Sequence, residues 1–294
     1  MILVAGATGH LGGEICRRLV AAGRSVRGLV RPTSDPAAVA RLRTLGVETV
    51  EGDLKDPASL ARACLDVDAV ISTVTTMRSR QPDDGIETTD QAGQVALVDA
   101  ACSASVGRFV YVSYSGQIGV DDPLTTAKRA VERRLRECGM TYTVLRPSCF
   151  MEAWLSPTLG FDFPNARAMV YGSGQAKLSW VSLGDVAAFA ARAVDDPQCA
   201  NATIELGGPE ALSPLEVVRI FEETGKRRFT VEHVPEEALR AQAASAPDSL
   251  QKTFAALMLA VAQGDAIPMD ETLDRYQLRL MSVRDYASAA VAQA

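Results

Sequence analysis

The sequence predicts an α/β protein with a doubly wound parallel sheet and a smaller C-terminal lobe. In the first half of the chain, short β-rich runs alternate with amphipathic helical stretches. Parallel neighbours need crossover connections, so this alternation predicts a parallel sheet with helices on both faces. The nearly continuous apolar runs at 1–5 and 68–74 are typical of strands that are buried on both sides.

The predicted elements follow in chain order. Strands are expected at 1–5, 25–30, 47–51, 68–74, 108–113 and 141–146, with helices at 10–22, 36–45, 57–64, 88–106 and 123–138. Prolines and glycines punctuate residues 150–175, where we expect irregular structure that forms a lid or pocket wall. Later elements are a strand near 177–182, helices at 183–195 and 213–224, a strand at 202–206, a helical tail at 235–263 and a terminal helix from about Val283.

Composition limits the classes of partner. The net charge of −6 argues against nucleic acid, because a phosphate backbone usually needs a basic face. The six cysteines and two histidines show no metal-ligand spacing, so no metal site is predicted. The sequence has neither a secretory signal nor an apolar run near the ~20 residues that span a bilayer. We therefore expect a cytoplasmic protein with no membrane partner.

Three glycines, Gly6, Gly9 and Gly12, form a GxxGxxG pattern between the first strand and the first helix. Glycine permits a tight turn and lets backbone N–H groups approach phosphate oxygens, while the helix N-terminus adds partial positive charge. An ordinary strand–helix turn is the alternative, but a βαβ context is typical of the dinucleotide-binding Rossmann fold. The residues predicted to hold the pyrophosphate are Gly6, Thr8, Gly9, His10, Leu11 and Gly12. The predicted domains are a Rossmann domain at 1–150 and a substrate lobe at 151–294, packed on the main sheet.

The residue that follows the second strand indicates which dinucleotide binds. An acidic residue there binds both ribose hydroxyls of NAD, whereas a basic residue accommodates the 2′-phosphate of NADP. Here the residue is Arg31, whose guanidinium matches a phosphate, with Thr33 and Ser34 as hydroxyl donors. A surface arginine at a strand end is the alternative. The sequence therefore predicts NADP(H) as the cofactor.

Several segments together resemble the NmrA-like atypical short-chain dehydrogenases/reductases. They are GATGHLG at 6–12, VRGLVR at 26–31, GDL at 52–54 and TYTVLRPSCFME at 141–152. That family resembles in turn the isoflavone and pinoresinol–lariciresinol reductases and NAD(P)H-dependent quinone and azo reductases. A looser match continues through 180–187 and 206–212, so the resemblance is specific in the cofactor half and generic in the substrate half.

The resemblance implies further cofactor contacts at the carboxyl ends of strands. It places Asp53 and Leu54 beside the adenine, with Asp53 accepting from the exocyclic amine. The residues implied along the rest of the cofactor are Ser72, Thr73, Val74, Ser113, Lys128, Pro147, Ser148 and Phe150. For each hydroxyl, a strand-end residue that satisfies local backbone is an equally good interpretation.

The catalytic lysine of short-chain dehydrogenases has a counterpart here, but their tyrosine does not. Those enzymes use a YxxxK pair, and the position four before Lys128 is Leu124. Lys128 is then either the general acid/base, with a pKa below its ordinary ~10.4 and Tyr114 or Ser113 completing the proton path, or only a ribose-binding residue. A pair with Glu132, one helical turn on, favours the charged lysine. An exposed helix lysine is the remaining alternative.

Apolar and aromatic residues are expected to line the substrate pocket. They are Tyr114, Phe150, Met151, Trp154, Leu155, Phe161 and Phe163. Such walls suit small aromatic, quinone-like or unsaturated carbonyl substrates, although each residue can equally be core packing. We therefore predict an NADPH-dependent oxidoreductase, and a non-catalytic NADP(H)-sensing regulatory protein is the alternative. An epimerase is disfavoured because it needs the absent tyrosine. A homo-oligomer is left open.

Overall fold

The computed structural model describes residues 1–79, 81–116, 119 and 122–292. The chain divides into two compact units that alternate along the sequence. Unit 1 comprises Met1–Ser113, Pro123–Leu145 and Val186–Ile204, and unit 2 comprises Tyr114–Asp122, Arg146–Asp185 and Glu205–Ala294. Each unit has its own hydrophobic core.

Strands and helices are numbered here in chain order. The strands are β1 (Ile2–Ala5), β2 (Val26–Val30), β3 (Glu48–Glu51), β4 (Ala69–Ser72), β5 (Arg108–Val112), β6 (Thr141–Pro147), β7 (Cys149–Phe150), β8 (Phe161–Asp162), β9 (Arg167–Tyr171), β10 (Leu178–Val181), β11 (Ala202–Leu206), β12 (Ala211–Leu212) and β13 (Thr230–Val234). The α-helices are α1 (His10–Ala21), α2 (Pro36–Thr44), α3 (Pro57–Ala63), α4 (Gln94–Ser103), α5 (Pro123–Glu137), α6 (Met151–Trp154), α7 (Leu183–Ala193), α8 (Pro214–Gly225), α9 (Glu236–Ser245), α10 (Ser249–Gln263), α11 (Asp270–Tyr276) and α12 (Val283–Ala292). A π-helical stretch, Ile86–Gly93, leads into α4.

A seven-stranded sheet has the order β11-β6-β5-β4-β1-β2-β3. The strand pairs from β3 across to β6 are all parallel, so the predicted Rossmann-type parallel sheet is confirmed. Every residue of β1 and β4 is buried, as expected for central strands with helices on both faces. The strand order reverses between β1 and β4. Doubly wound sheets bind ligands at such a point, outside the carboxyl ends of the strands.

Helix α5 packs on this sheet through a stripe of residues spaced three and four apart. Its buried residues are Leu124, Ala127, Lys128, Val131, Glu132 and Leu135. The apolar members join the core of unit 1, where Val131 and Leu135 lie in one cluster with Tyr111. Two charged side chains thus share the core-facing stripe of this helix.

Unit 2 contains two three-stranded sheets, β12-β10-β7 and β13-β9-β8. Its core includes aromatic rings in contact, among them Phe161 with Phe221 at a centroid separation of 4.8 Å. Helix α8 begins with the predicted N-cap at Ser213, whose hydroxyl accepts from the backbone N–H of Glu216 while the Glu216 side chain accepts from the backbone of Ser213.

Elements such as α11 and β13 were not predicted, and three predicted segments differ in the structure. Segment 150–175 contains β9, which pairs with β8 and β13, so the prolines and glycines there flank a strand. The helical tail is broken into α9 and α10 around Pro247, because proline lacks an N–H donor and Asp248 caps α10. The predicted helix at 88–106 begins as the π-helical stretch. Because π-helices are rare, the sequence pattern was interpreted as an α-helix throughout.

Gly12 provides a test of the packing at the start of α1. A Cβ added there lies 2.2 Å from the carbonyl oxygen of Gly6, a contact that the backbone has no room to accept. We expect Gly12→Ala to lower the free energy of unfolding by about 1–3 kcal/mol, measured by urea denaturation. The matched control is Gly13→Ala, whose nearest new contact is the Ala7 carbonyl at 3.4 Å. It should be neutral or slightly stabilising because alanine favours a helix. Equal stability of both variants contradicts this packing.

Candidate active site

The glycine turn presents backbone donors at the start of α1. Gly6 has a φ of +84°, and its carbonyl accepts from the N–H of Gly9 at 3.0 Å. The N-cap of α1 is Gly9, which has no side chain to accept from the first N–H groups of the helix. The first turn of α1 carries no acidic residue. The backbone N–H groups of residues 10–12 precede the first helical donor, Gly13, which binds Gly9 at 2.8 Å. These three donors and the helix dipole suit an anion.

The residues after β4 lie beside this turn but differ in accessibility. A Cβ at Gly6 lies 2.5 Å from the Thr73 hydroxyl, and the backbone N–H of Thr73 donates to Ala5 at 3.1 Å. Ser72 is fully buried, and its hydroxyl donates to Gln94 at 2.8 Å. The Gln94 amide in turn donates to the carbonyl of Val74 at 2.9 Å. Thr73 and Val74 are partly exposed at the strand end, while Ser72 is turned into the core.

Arg31 follows β2 and lies next to a second cation that the sequence analysis missed. Its Nη1 lies 2.6 Å from Oδ2 of Asp84, and Nζ of Lys55 lies 2.7 Å from Oδ1 of the same carboxylate. The Ser79 hydroxyl also donates to Asp84. Burial raises the pKa of Asp84, but the hydrogen bonds from Lys55, Ser79 and Arg31 outweigh this and lower it to about 2. Two cations at this edge of the sheet therefore already hold one anionic group.

The other residues predicted around the adenosine are placed as follows. Ser34 accepts from the backbone N–H of Arg31 at 2.9 Å and shapes the turn after β2, where Thr33 is exposed. Asp53 accepts from the backbone N–H of Lys55 at 2.8 Å and remains partly exposed. Leu54 is buried in the core of unit 1. The hydroxyl and carboxylate groups here are accessible, and the leucine side chain is a core residue.

Lys128 is buried, so the exposed-lysine alternative is wrong. Its side chain is 5% exposed, and Nζ donates to the carbonyl of Val112, the last residue of β5, at 3.3 Å. The ammonium also lies 5.1 Å from the centroid of the Tyr111 ring. Burial lowers the pKa of Lys128, the charge of Asp90 raises it, Arg129 lowers it and Glu132 raises it, in that order of size. The net shift is downward, as an acid/base role near neutrality needs.

Glu132, which the sequence suggested as an ion-pair partner of Lys128, accepts hydrogen bonds from other residues. Its carboxylate accepts from the hydroxyl of Ser113 at 2.7 Å and from Arg136 at 3.4 Å, and it forms an ion pair with Arg129. Ser113 is itself buried, and its backbone N–H donates to Leu145 at 2.8 Å. The interaction of Ser113 with Glu132 is a structural use of the hydroxyl. Glu132 therefore stabilises the end of β5 rather than sequestering the lysine.

The remaining predicted residues belong to unit 2. The Tyr114 phenol donates to Asp122 at 2.9 Å, and Asp122 also accepts from Thr253 at 3.1 Å. The Ser148 hydroxyl donates to the buried carboxylate of Asp265. Tyr114 and Ser148 are thus each paired with a carboxylate that no sequence motif singled out.

The carboxylate of Asp265 also supports the segment after β6. Asp265 also accepts from the Ser115 hydroxyl at 2.6 Å, and the Ser115 backbone N–H donates to Pro147 at 2.9 Å. Phe150 ends β7 and is partly exposed. Asp265 therefore organises the loop that carries Pro147 and Ser148.

Unit 2 also contains a small apolar cavity of about 30 Å³. Trp154, Leu155 and Phe161, three of the predicted pocket walls, line it together with Tyr171 and Trp180. This volume is far below the ~300–1,000 Å³ of a small-molecule site. The residues act here as an aromatic core with a packing gap. A pocket of substrate size is not formed by them in this structure.

Within the described part of the chain, no group of three or more histidine, cysteine, aspartate or glutamate side chains is arranged to hold a metal ion. Likewise, none of its helices combines the length and apolar character that crossing a bilayer requires.

The chain is similar to known proteins over most of its length. The chain is 32% identical over 281 residues to the isoflavone reductase homolog IRL of Zea mays, covering 90% of this chain and 87% of that one. It is 34% identical over 220 residues to the NAD(P)H azoreductase of Xenophilus azovorans, covering 74% and 71%. An NADPH-dependent quinone oxidoreductase of Escherichia coli, solved with NADPH, has the same fold at a TM-score of 0.80 and 21% identity, covering 99% of both chains.

The family follows from the whole chain rather than from single motifs. The model of the NmrA-like family matches residues 1–287. This match covers the glycine turn, α5 with its buried lysine and nearly all of unit 2. The chain belongs to the NmrA-like family.

Proposed function

We propose that the protein is an NADPH-dependent oxidoreductase that reduces a small aromatic, quinone-like or unsaturated carbonyl substrate. The observation that carries this proposal is Lys128, a lysine buried at the carboxyl end of β5 with a lowered pKa. A reductase of this kind needs a cofactor site and a proton donor. The names of the reductases to which the chain is similar support the same activity.

The described residues fit a dinucleotide. The close contacts at Gly6 and Gly12 leave space only for backbone, and the N–H groups of residues 10–12 are positioned for a pyrophosphate. Arg31 and Lys55 would bind the 2′-phosphate, which would replace the Asp84 carboxylate that they hold between them. Bound NADPH supplies a hydride. The chain's own task is to orient the cofactor and to supply a proton.

Lys128 is proposed as the source of that proton. Reduction of a carbonyl or quinone places negative charge on the substrate oxygen, which an ammonium group can neutralise by transferring a proton from Nζ. Burial destabilises the charged lysine and so makes the proton easier to give. The carbonyl of Val112 and the Tyr111 ring hold Nζ in place while it does so.

A non-catalytic NADP(H) sensor is the second candidate, and the pairing of Tyr114 favours it. The Tyr114 phenol, proposed as part of the proton path, is already bound to Asp122. Turnover is what separates the two candidates, because both bind the cofactor.

Replacement of Lys128 tests the reductase. We expect Lys128→Met to lower kcat for NADPH oxidation by at least ~100-fold across a panel of quinones and enones, the contribution expected of a general acid. The matched control is Lys177→Met, because Lys177 is half exposed and paired with Glu216. Wild-type turnover in Lys128→Met contradicts the proton-donor role. Tight NADPH binding without turnover by the wild type across the panel supports the sensor.

Replacement of the two cations tests cofactor selectivity. Arg31→Ala and Lys55→Ala should each weaken NADPH binding about 10-fold or more, because each removes a charge-assisted hydrogen bond to the 2′-phosphate. NADH lacks that phosphate, so its dissociation constant should stay within about twofold. Isothermal calorimetry with both nucleotides measures the difference. Arg43→Ala is the control, since its guanidinium is exposed and binds Thr49. Equal losses for NADPH and NADH contradict the assignment.

A further inference from the structure

The π-helical stretch Ile86–Gly93 holds a buried carboxylate that the proposed mechanism has not used. Asp90 is 1% exposed, and its Oδ2 accepts from the backbone N–H of Thr76 at 2.9 Å and from the Thr76 hydroxyl at 2.5 Å. Its Oδ1 is equally buried and has no hydrogen-bond partner among the described residues. Such an oxygen is costly unless a compensating charge lies nearby. The carboxylate therefore needs a positive counterpart.

Lys128 is the candidate for that counterpart. The π-helical stretch packs against α5, the helix that carries the lysine. Asp90 exerts the largest favourable charge effect on the Lys128 ammonium, ahead of Glu132, while Arg129 opposes it. Among the described residues, none forms a salt bridge with Asp90, whereas Glu132 is paired with Arg129 and Arg136. Of the two carboxylates, Asp90 and Glu132, only Glu132 is thus neutralised by arginines among the described residues.

We propose that Asp90 is a positioning residue for the Lys128 proton. Thr76 fixes one carboxylate oxygen through its backbone N–H and its hydroxyl, and the other oxygen has no hydrogen-bond partner among the described residues. Its negative charge keeps Lys128 protonated in a buried site until the substrate oxygen takes the proton. Asp90 itself gives up no proton; the neutral amine of Lys128 regains one from solvent after turnover. A π turn at such a place is in keeping with the frequent occurrence of π-bulges at functional sites.

The proposal rests on the proposed role of Lys128, so its first test does not use activity. The whole chain contains five lysines, which makes the NMR spectrum of protein with isotopically labelled lysine simple to assign. The Lys128 signal is identified by its absence in Lys128→Met. We expect Asp90→Asn to move the titration midpoint of the Lys128 amine down by about one pH unit or more, because the lost charge favoured the protonated form.

The matched control is Asp99→Asn. Asp99 lies on the neighbouring helix α4, is half exposed and pairs with Arg134, so this change removes the same charge without touching the surroundings of Lys128. Its Lys128 signal should titrate as in the wild type. A wild-type titration in folded Asp90→Asn, or equal shifts in both variants, overturns the proposal.

The pH dependence of kcat is a second measurement, and a purely structural role of Asp90 would leave it unchanged. The active form of Lys128 as an acid is protonated, so the rate falls as pH rises through its pKa. In Asp90→Asn this alkaline limb of kcat should begin at lower pH by the same amount, with an unchanged dissociation constant for NADPH. An unmoved limb contradicts the proposal. If the wild type shows no turnover, the proposed function fails while the NMR titration still decides the role of Asp90.

Folding of the variant is checked by circular dichroism. Asp90→Ser, which also removes the charge, replaces Asp90→Asn if the latter does not fold. A crystal structure of the wild type supplies an independent measurement. Asp90 Oδ1 should lie within about 6 Å of Lys128 Nζ, the range over which an opposite charge favours the ionised form. A longer separation overturns the proposal whatever the variants do.

Discussion

The backbone contact between Gly6 and Gly12 determines the geometry of the cofactor edge in unit 1. Because a Cβ at Gly12 would meet the Gly6 carbonyl at 2.2 Å, α1 can start directly at the end of β1 only if that position has no side chain. Thr73 joins the end of β4 to β1 beside the same turn. The first N–H groups of α1 therefore point to the place where the strand order reverses. An anion at this place would be bound by backbone N–H groups, whose position depends on the close packing of Gly6 against Gly12.

The two charges buried on α5 are compensated in different ways. Glu132 receives hydrogen bonds or ion pairs from Ser113, Arg129 and Arg136, which together repay the cost of its burial. Lys128 has one hydrogen bond of 3.3 Å and the face of an aromatic ring. A fully compensated charge is stable in one protonation state, whereas a partly compensated one can change its state during a reaction.

The sequence predicted those features of the fold that depend on patterns among neighbouring residues. Strand–helix alternation gave the parallel sheet, and the glycine spacing located the turn, because both depend on neighbouring residues. Asp84 was missed because it meets Arg31 across 53 positions of the sequence, and nothing near either residue records the other. Asp90 was missed because its hydrogen-bond partner, Thr76, lies 14 positions away in the sequence and no motif joins the two. The sequence left the burial of Lys128 open, because the residues that surround its side chain, such as Tyr111 and Val112, come from another element.

The aromatic residues of unit 2 illustrate why a sequence pattern does not determine whether residues line a pocket or pack in a core. Aromatic residues that could face a substrate also pack well against one another, and in unit 2 they do so. Phe161 contacts both Phe221 and Phe229, at centroid separations of 4.8 and 5.5 Å, whereas Trp154 contacts Tyr171 at 6.4 Å. Each such ring pair contributes about 0.5–1.5 kcal/mol beyond its buried area. These ring pairs stabilise the closed packing of unit 2, so the core accounts for the aromatic residues of this segment without a substrate.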